Sequence, residues 1–201
     1  DYDDFFEVAF EKELEDLMRK QVELDQNMTD QMLDQAKKIS PQIIPQVIQY
    51  FDDYEVFSVE EKLYLDIPEV EKTKFKGFID LVLKTPDGRY HIIDWKTCSW
   101  GWDAKKRSDK YVTYQLTLYK KFFCLKHKID PKLVETHFAL LKRTAKKDNV
   151  EIFRVTSGPR KVSNATDLLV KGVKSIQSGK AFKNRGSCSY CEFRNTEHCP
   201  R

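Results

Sequence analysis

The chain has 201 residues, with 35 Lys+Arg against 32 Asp+Glu and a formal charge of +3. That length can bury a full core without disulfide staples, and a composition of 40% hydrophobic and 12% aromatic residues excludes wholesale disorder. Seven Gly and seven Pro exclude collagen-like or linker-like chains, and no apolar run approaches the ~18 residues of a membrane span.

The charge is unevenly spread. Residues 1–70 carry 6 basic and 19 acidic side chains and residues 71–201 carry 29 and 13, so a block of −13 precedes one of +16. Such asymmetry points to a polyanionic partner for the basic part. The chain opens at Asp1 without a Met, as a trimmed chain or the ordered part of a longer one would. No signal peptide is visible, so the expectation is an intracellular, cytoplasmic protein with no membrane partner.

In chain order, apolar positions at Phe5, Phe6, Phe10, Leu14 and Leu17 begin a helical pattern that runs over 3–38. Pro41 is expected to stop it, and Pro45 to open a short helix through Tyr50. The period then changes. Strands are predicted over 55–67, 75–83 and 89–97, the last two joined by Thr85-Pro86-Asp87-Gly88, whose residues suit a turn. A basic loop, 100–109, leads into a helix over 111–126. Two strands follow, 135–141 and 150–155, with a basic turn at 142–148 between them. A helix from Pro159 to about 178 precedes a basic, Cys-rich tail. The order predicts one α/β domain with a mixed sheet.

The predicted hairpin carries the chemistry. Its strands are apolar at their centres except for Asp80 in Gly77-Phe78-Ile79-Asp80, and Asp94 and Lys96 in Ile92-Ile93-Asp94-Trp95-Lys96-Thr97. Asp94 and Lys96 are two apart and share a face, which Asp80 on the adjacent strand can reach. Charges in a central strand are costly unless they serve each other or a metal. Two carboxylates suit Mg²⁺ or Mn²⁺, which can polarise a phosphodiester and activate water, and the lysine can stabilise charge on the phosphate. On spacing alone, a structural Asp–Lys ion pair explains the pattern as well.

Gly-Phe-Ile-Asp, then Asp94-Trp95-Lys96, then Gln115-Leu-Thr-Leu-Tyr119 on a helix resembles the PD-(D/E)XK nuclease superfamily. More narrowly it resembles the RecB-type branch, which includes recombination, CRISPR-adaptation, mitochondrial and phage nucleases. The resemblance covers about residues 1–201. It implies a restriction-endonuclease-like core, with a helical region (1–54), a catalytic core (55–179) and a basic Cys-rich tail (180–201) in one domain. It further implies that Asp80 and Asp94 are metal ligands, that Trp95 offers its carbonyl to the metal, that Lys96 is catalytic, and that Gln115 and Tyr119 position substrate. Glu60 matches an acidic position often found on the first strand. Where related proteins show a His on the first helix, this chain has Glu7-Val-Ala-Phe-Glu11; Glu7 is either a third ligand or a surface carboxylate.

Five cysteines in odd number do not read as a disulfide framework, and Cys188, Cys191 and Cys199 fall within the last fourteen residues. In part of the RecB-type branch three such cysteines join one near the N-terminus on a 4Fe–4S cluster. That fourth cysteine is absent from this chain, so zinc, with His198 as a fourth ligand, and a site without metal both stand beside the cluster.

Two basic groups flank the hairpin. Lys105, Lys106, Arg107 and Lys110 interleave with Trp100, Trp102 and Tyr111, a mixture that suits stacked bases and phosphates of a single strand. Lys142, Arg143, Lys146 and Lys147 form the second. Each alone is explained by solvation; together they favour a substrate channel with salt-sensitive, sequence-tolerant binding. The reading is a metal-dependent DNA exonuclease for single strands or ends, in recombination, repair or phage DNA metabolism, with a helicase or recombination protein as a conceivable partner. An endonuclease or flap-trimming enzyme, and a non-catalytic DNA-binding subunit of a helicase–nuclease complex, are the alternatives.

Overall fold

The computed structural model describes residues 2–180 and 185–199. Two helices come first, α1 (Tyr2–Arg19) and α2 (Gln26–Phe51), then strands β1 (Glu55–Asp66), β2 (Lys74–Lys84) and β3 (Tyr90–Cys98). Helices α3 (Ala104–Ser108) and α4 (Lys110–His127) lead to β4 (Val134–Lys142) and β5 (Val150–Val155), and α5 (Pro159–Gln177) follows. The strands form one sheet in the order β1-β2-β3-β4-β5. Only the β3/β4 pair is parallel, so the α3–α4 segment is its crossover. The mixed sheet with flanking helices agrees with the expected restriction-endonuclease-like core.

The N-terminal helices depart from expectation. The pattern over 3–38 is broken at 20–25, where Gln21 takes φ +57° and Asp25 caps a new helix by accepting from Met28 N at 3.1 Å. Pro41 and Pro45 do not end that helix but lie inside it. Tertiary bonds on both sides of Pro41 hold it. Lys38 Nζ donates to the Ala145 carbonyl at 2.7 Å, and Gln42 exchanges bonds with Asn149 at 3.1 and 3.2 Å. Local propensity yields to packing here.

The sheet has a core on each face. On one side α4 lays Leu116, Tyr119, Phe122 and Phe123 against Leu63, Ile79, Val82, Ile92, Phe138 and Leu140. Phe75 stacks on Phe122 with ring centroids 4.0 Å apart. On the other side α2 presses Val47 and Phe51 onto Leu83, Ile93, Ala139 and Ile152. The β2–β3 turn is built as predicted, with Gly88 N donating to the Thr85 carbonyl at 2.9 Å and Gly88 at φ +80°.

One irregularity matters for the site. β1 and β2 stay paired from Glu55/Lys84 to Asp66/Lys74, but β2 and β3 pair only from Lys84/Tyr90 to Leu81/Ile93. Beyond that point the sheet splits, and β1–β2 continues as a hairpin resting on α4.

Candidate active site

Asp80 and Asp94 sit at the split, one residue past the last pair on each strand. With the ladder ended, Trp95 N–H has no strand partner. Asp80 Oδ2 takes its place, accepting that bond at 2.7 Å. Asp94 alternates with Ile92 and so faces α4, level with Phe138 of β4. It is 2% exposed. Lys96 Nζ lies 2.7 Å from Asp94 Oδ2, and its side chain is one third exposed, so the ammonium reaches solvent. Lys96 is the partner of Asp94 Oδ2, an otherwise buried oxygen. Burial pushes the Asp94 carboxyl above the ordinary carboxylate range; Lys96 opposes this and Asp80 adds to it.

A buried carboxylate whose charge burial and the neighbouring Asp80 carboxylate both disfavour fits a hard divalent cation that takes oxygen ligands. The residues present therefore suit the metal that the sequence pattern implies. Asp80 and Asp94 would hold it.

Helix α4 supplies the next layer. Gln115 Nε2 donates to Tyr119 Oη at 3.1 Å, one turn along. The Tyr119 ring lies so close to Gly77 that a Cβ there would stand 2.8 Å from Tyr119 Cε1 and 3.2 Å from Phe75 Cε1. The glycine of Gly-Phe-Ile-Asp is thus a slot for the tyrosine of Gln-x-x-x-Tyr, and the two motifs interlock. The model of the PD-(D/E)XK nuclease superfamily matches residues 3–199.

The chain belongs to that superfamily.

Among solved structures, this PD-(D/E)XK nuclease is similar to a candidate exonuclease from Eubacterium rectale, with a TM-score of 0.59 and 19% identity over 94% of this chain and 69% of that one. It also aligns with SSO0001 at a TM-score of 0.45 and 16% identity, over 92% and 77% of the two chains. The first likeness carries the fold; the second is too weak to add to it. A comparison with curated protein sequences returns no match.

The remaining expected site residues divide into those near the nuclease centre and those engaged elsewhere. Glu7 pairs with Lys37 of α2 at 2.8 Å and does not join Asp80 and Asp94 in one ligand set. Glu60 is exposed, with φ +47°. Trp102 is not a stacking platform: it is 8% exposed, packed edge-on against Phe138 at 5.0 Å. Its apolar bulk belongs to the core, since the loop turns inward after Gly101, which takes φ +119°. Arg107 and Lys142 are held by Glu151, at 2.6 and 3.6 Å. Trp100 and Tyr111 are each 71% exposed, with Lys110 5.0 Å from the Tyr111 ring centroid. Lys105, Lys106 and Arg143 are exposed. The two basic groups meet, because Arg143 N donates to the Cys98 carbonyl at 2.8 Å, two residues past Lys96.

In the tail, no three of Cys188, Cys191, Cys199 and His198 bring ligand atoms within 4.8 Å of one another. His198 pairs instead with Glu197 at 3.6 Å. Among the described residues, no helix is long and apolar enough to cross a membrane.

Sequence reasoning missed two features. One is the bond from Trp95 N–H to Asp80, which has no local signal because it depends on where pairing stops. The other is a cluster of His91, Glu135 and His137. Its signal was available: polar residues in the apolar centres of β3 and β4, the same cue that marked Asp94.

Proposed function

We propose that this nuclease is a Mg²⁺- or Mn²⁺-dependent deoxyribonuclease acting on single strands or DNA ends. The observation that carries the reading is the buried Asp94 carboxylate, paired with the partly exposed Lys96, with Asp80 across the split sheet. Asp80 and Asp94 would hold the divalent ion, whose chemistry would be to polarise the scissile phosphate and to lower the pKa of a coordinated water.

The chain's own groups do the rest. Lys96 brings its ammonium to the charge that builds on the phosphate oxygens. The Asp80 bond to Trp95 N–H holds that carboxylate in place. Gln115 and Tyr119 border the cleft from α4 and steady the strand approaching it. Lys105, Lys106 and Arg143 track the backbone, and Trp100 and Tyr111 offer exposed rings to unpaired bases. None of these groups reads a base edge, so cleavage is sequence-tolerant.

The test is degradation of end-labelled linear and closed circular DNA, single- and double-stranded, with Mg²⁺, with Mn²⁺ and with EDTA, and with RNA in parallel. The expected result is metal-dependent shortening of linear DNA from its ends. Cleavage in EDTA, undiminished cleavage by Lys96→Ala, or cutting of circles as fast as linear strands would overturn it.

A further inference from the structure

The cluster of His91, Glu135 and His137 lies on the opposite face of the sheet from Asp94. His91 alternates with Ile93, and His137 with Ala139, both part of the core under α2. The Phe51 ring lies 5.0 Å from the His91 ring and 5.1 Å from the His137 ring. The two rings themselves meet, His91 Nδ1 to His137 Nε2, at 3.2 Å. Glu135 Oε2 is 4.0 Å from His91 Nδ1, and one ligand atom from each residue falls within 4.8 Å of the others.

Hydrogen bonding decides what these nitrogens can offer. Thr85 Oγ1 donates to Asp87 Oδ1, a carboxylate that can only accept. It must therefore accept from His91 Nε2–H, 3.1 Å away. That chain, Asp87 to Thr85 to His91, leaves His91 Nδ1 with a lone pair aimed at His137. It is also the arrangement that orients imidazole ligands in metal sites. His137 is 2% exposed, and its Nδ1 has no partner. Without an ion, His137 Nε2–H donates to His91 Nδ1, and Nδ1 of His137 is that ring's one orphaned atom; with an ion on Nε2, Nδ1 is again the one orphaned atom. Burial keeps both rings in the neutral, ligating form, with His137 pushed down to about 3.

Glu135 favours one class of ion over another. Its Oε1 is held by Arg154 at 3.1 Å and Arg89 at 3.4 Å, which turns Oε2 toward the imidazoles and offsets its charge. A hard ion attracted mainly by charge gains little there, whereas an ion that prefers imidazole nitrogen keeps two strong ligands. A cavity of about 590 Å³ opens on the cluster, and Asp52, Asp53 and Asp87 on its wall outnumber Arg154. A cation can enter and retain water as a further ligand.

We propose that His91 Nδ1, His137 Nε2 and Glu135 Oε2 bind one zinc-class divalent ion, at a site separate from the nuclease centre. The ion would tie β3 to β4 beneath the C-terminal end of α2.

The experiment uses the full chain with Cys188, Cys191 and Cys199 changed to Ser and with Asp94→Asn, so that no other proposed ligand set competes. It is titrated with ZnCl₂ by calorimetry and with CoCl₂ by visible absorption, in the presence of excess MgCl₂. One ion per chain is expected, unaffected by Mg²⁺. Affinity should fall at least about 100-fold in His91→Gln and His137→Gln, and about 10–100-fold in Thr85→Val, whose side chain is not a ligand. Circular dichroism establishes that each variant is folded, and Thr85→Val keeps the test valid if a histidine variant is not. No uptake at 100-fold excess of zinc, displacement by Mg²⁺, or unchanged affinity in folded His and Thr85 variants would overturn the proposal.

Discussion

Asp80 is proposed to do two jobs, and they can be separated. It is a metal ligand and the acceptor of Trp95 N–H at 2.7 Å. Asp80→Asn keeps an oxygen for that amide but removes the anionic ligand. Asp80→Ala removes both. Each relieves the same repulsion with Asp94, so the difference between the two variants isolates the bond. Loss of the neutral bond that Asn can still accept, which leaves a half-buried amide unpaired, costs about 2 kcal/mol. For a chain of this size that is about 4–8 °C in Tm. Urea and thermal unfolding at pH 7 should therefore place Asp80→Ala about 2 kcal/mol below Asp80→Asn. Both should lose metal-dependent DNA cleavage by several orders of magnitude. Equal stability of the two variants would show that the Trp95 bond contributes nothing. Near-normal cleavage by Asp80→Asn would remove Asp80 from the metal site.

Three further outcomes follow from the geometry. Asp94→Asn should abolish cleavage yet be at least as stable as the parent at pH 7. The folded-state pKa of Asp94 is raised, so its contribution to stability is present below the unfolded value of 3.8 and is lost as pH rises through the folded value; the variant's advantage should vanish in unfolding measurements below pH 4. Gly77→Ala forces the Tyr119 ring away from a Cβ 2.8 Å distant, which should cost about 1–3 kcal/mol in urea unfolding and slow cleavage although residue 77 bears no reactive group. Trp100→Ala and Tyr111→Ala, both at well-exposed positions, should weaken single-strand binding by about 1–3 kcal/mol each in fluorescence titrations while leaving Tm unchanged.

Much of this was legible in the sequence. The alternation of β2 and β3, the Pro-Asp-Gly turn and the helical spacing of α4 are local signals, and they placed Asp80, Asp94, Lys96, Gln115 and Tyr119 correctly on their elements. Three kinds of information were not local. Whether Pro41 ends a helix depends on Gln42 finding Asn149, more than a hundred residues away. Whether a tryptophan stacks on substrate or fills the core depends on the direction the chain takes at Gly101, and Trp100 and Trp102 differ only in that. Whether a lysine or arginine is free depends on its partners: Arg107 and Lys142 look like their neighbours in sequence but converge on Glu151. The histidine cluster does have a local signal. Buried imidazoles in β3 and β4 carry a desolvation cost of the same kind as charges in a central strand and are read from the sequence by the same cue.

The early end of the β2–β3 ladder has a mechanical consequence. Strands joined along their length hold opposing side chains at a fixed spacing, but Asp80 and Asp94 lie where that constraint has just been released. Apart from the Trp95 N–H bond to Asp80, what sets the gap between them is α4, through Phe122 under Phe75 and Tyr119 in the Gly77 slot. The separation of the two carboxylates is thus gauged by a helix as well as by the sheet that bears them. Substitutions along the buried face of α4 would then retune the fit for one divalent ion over another without touching a ligand.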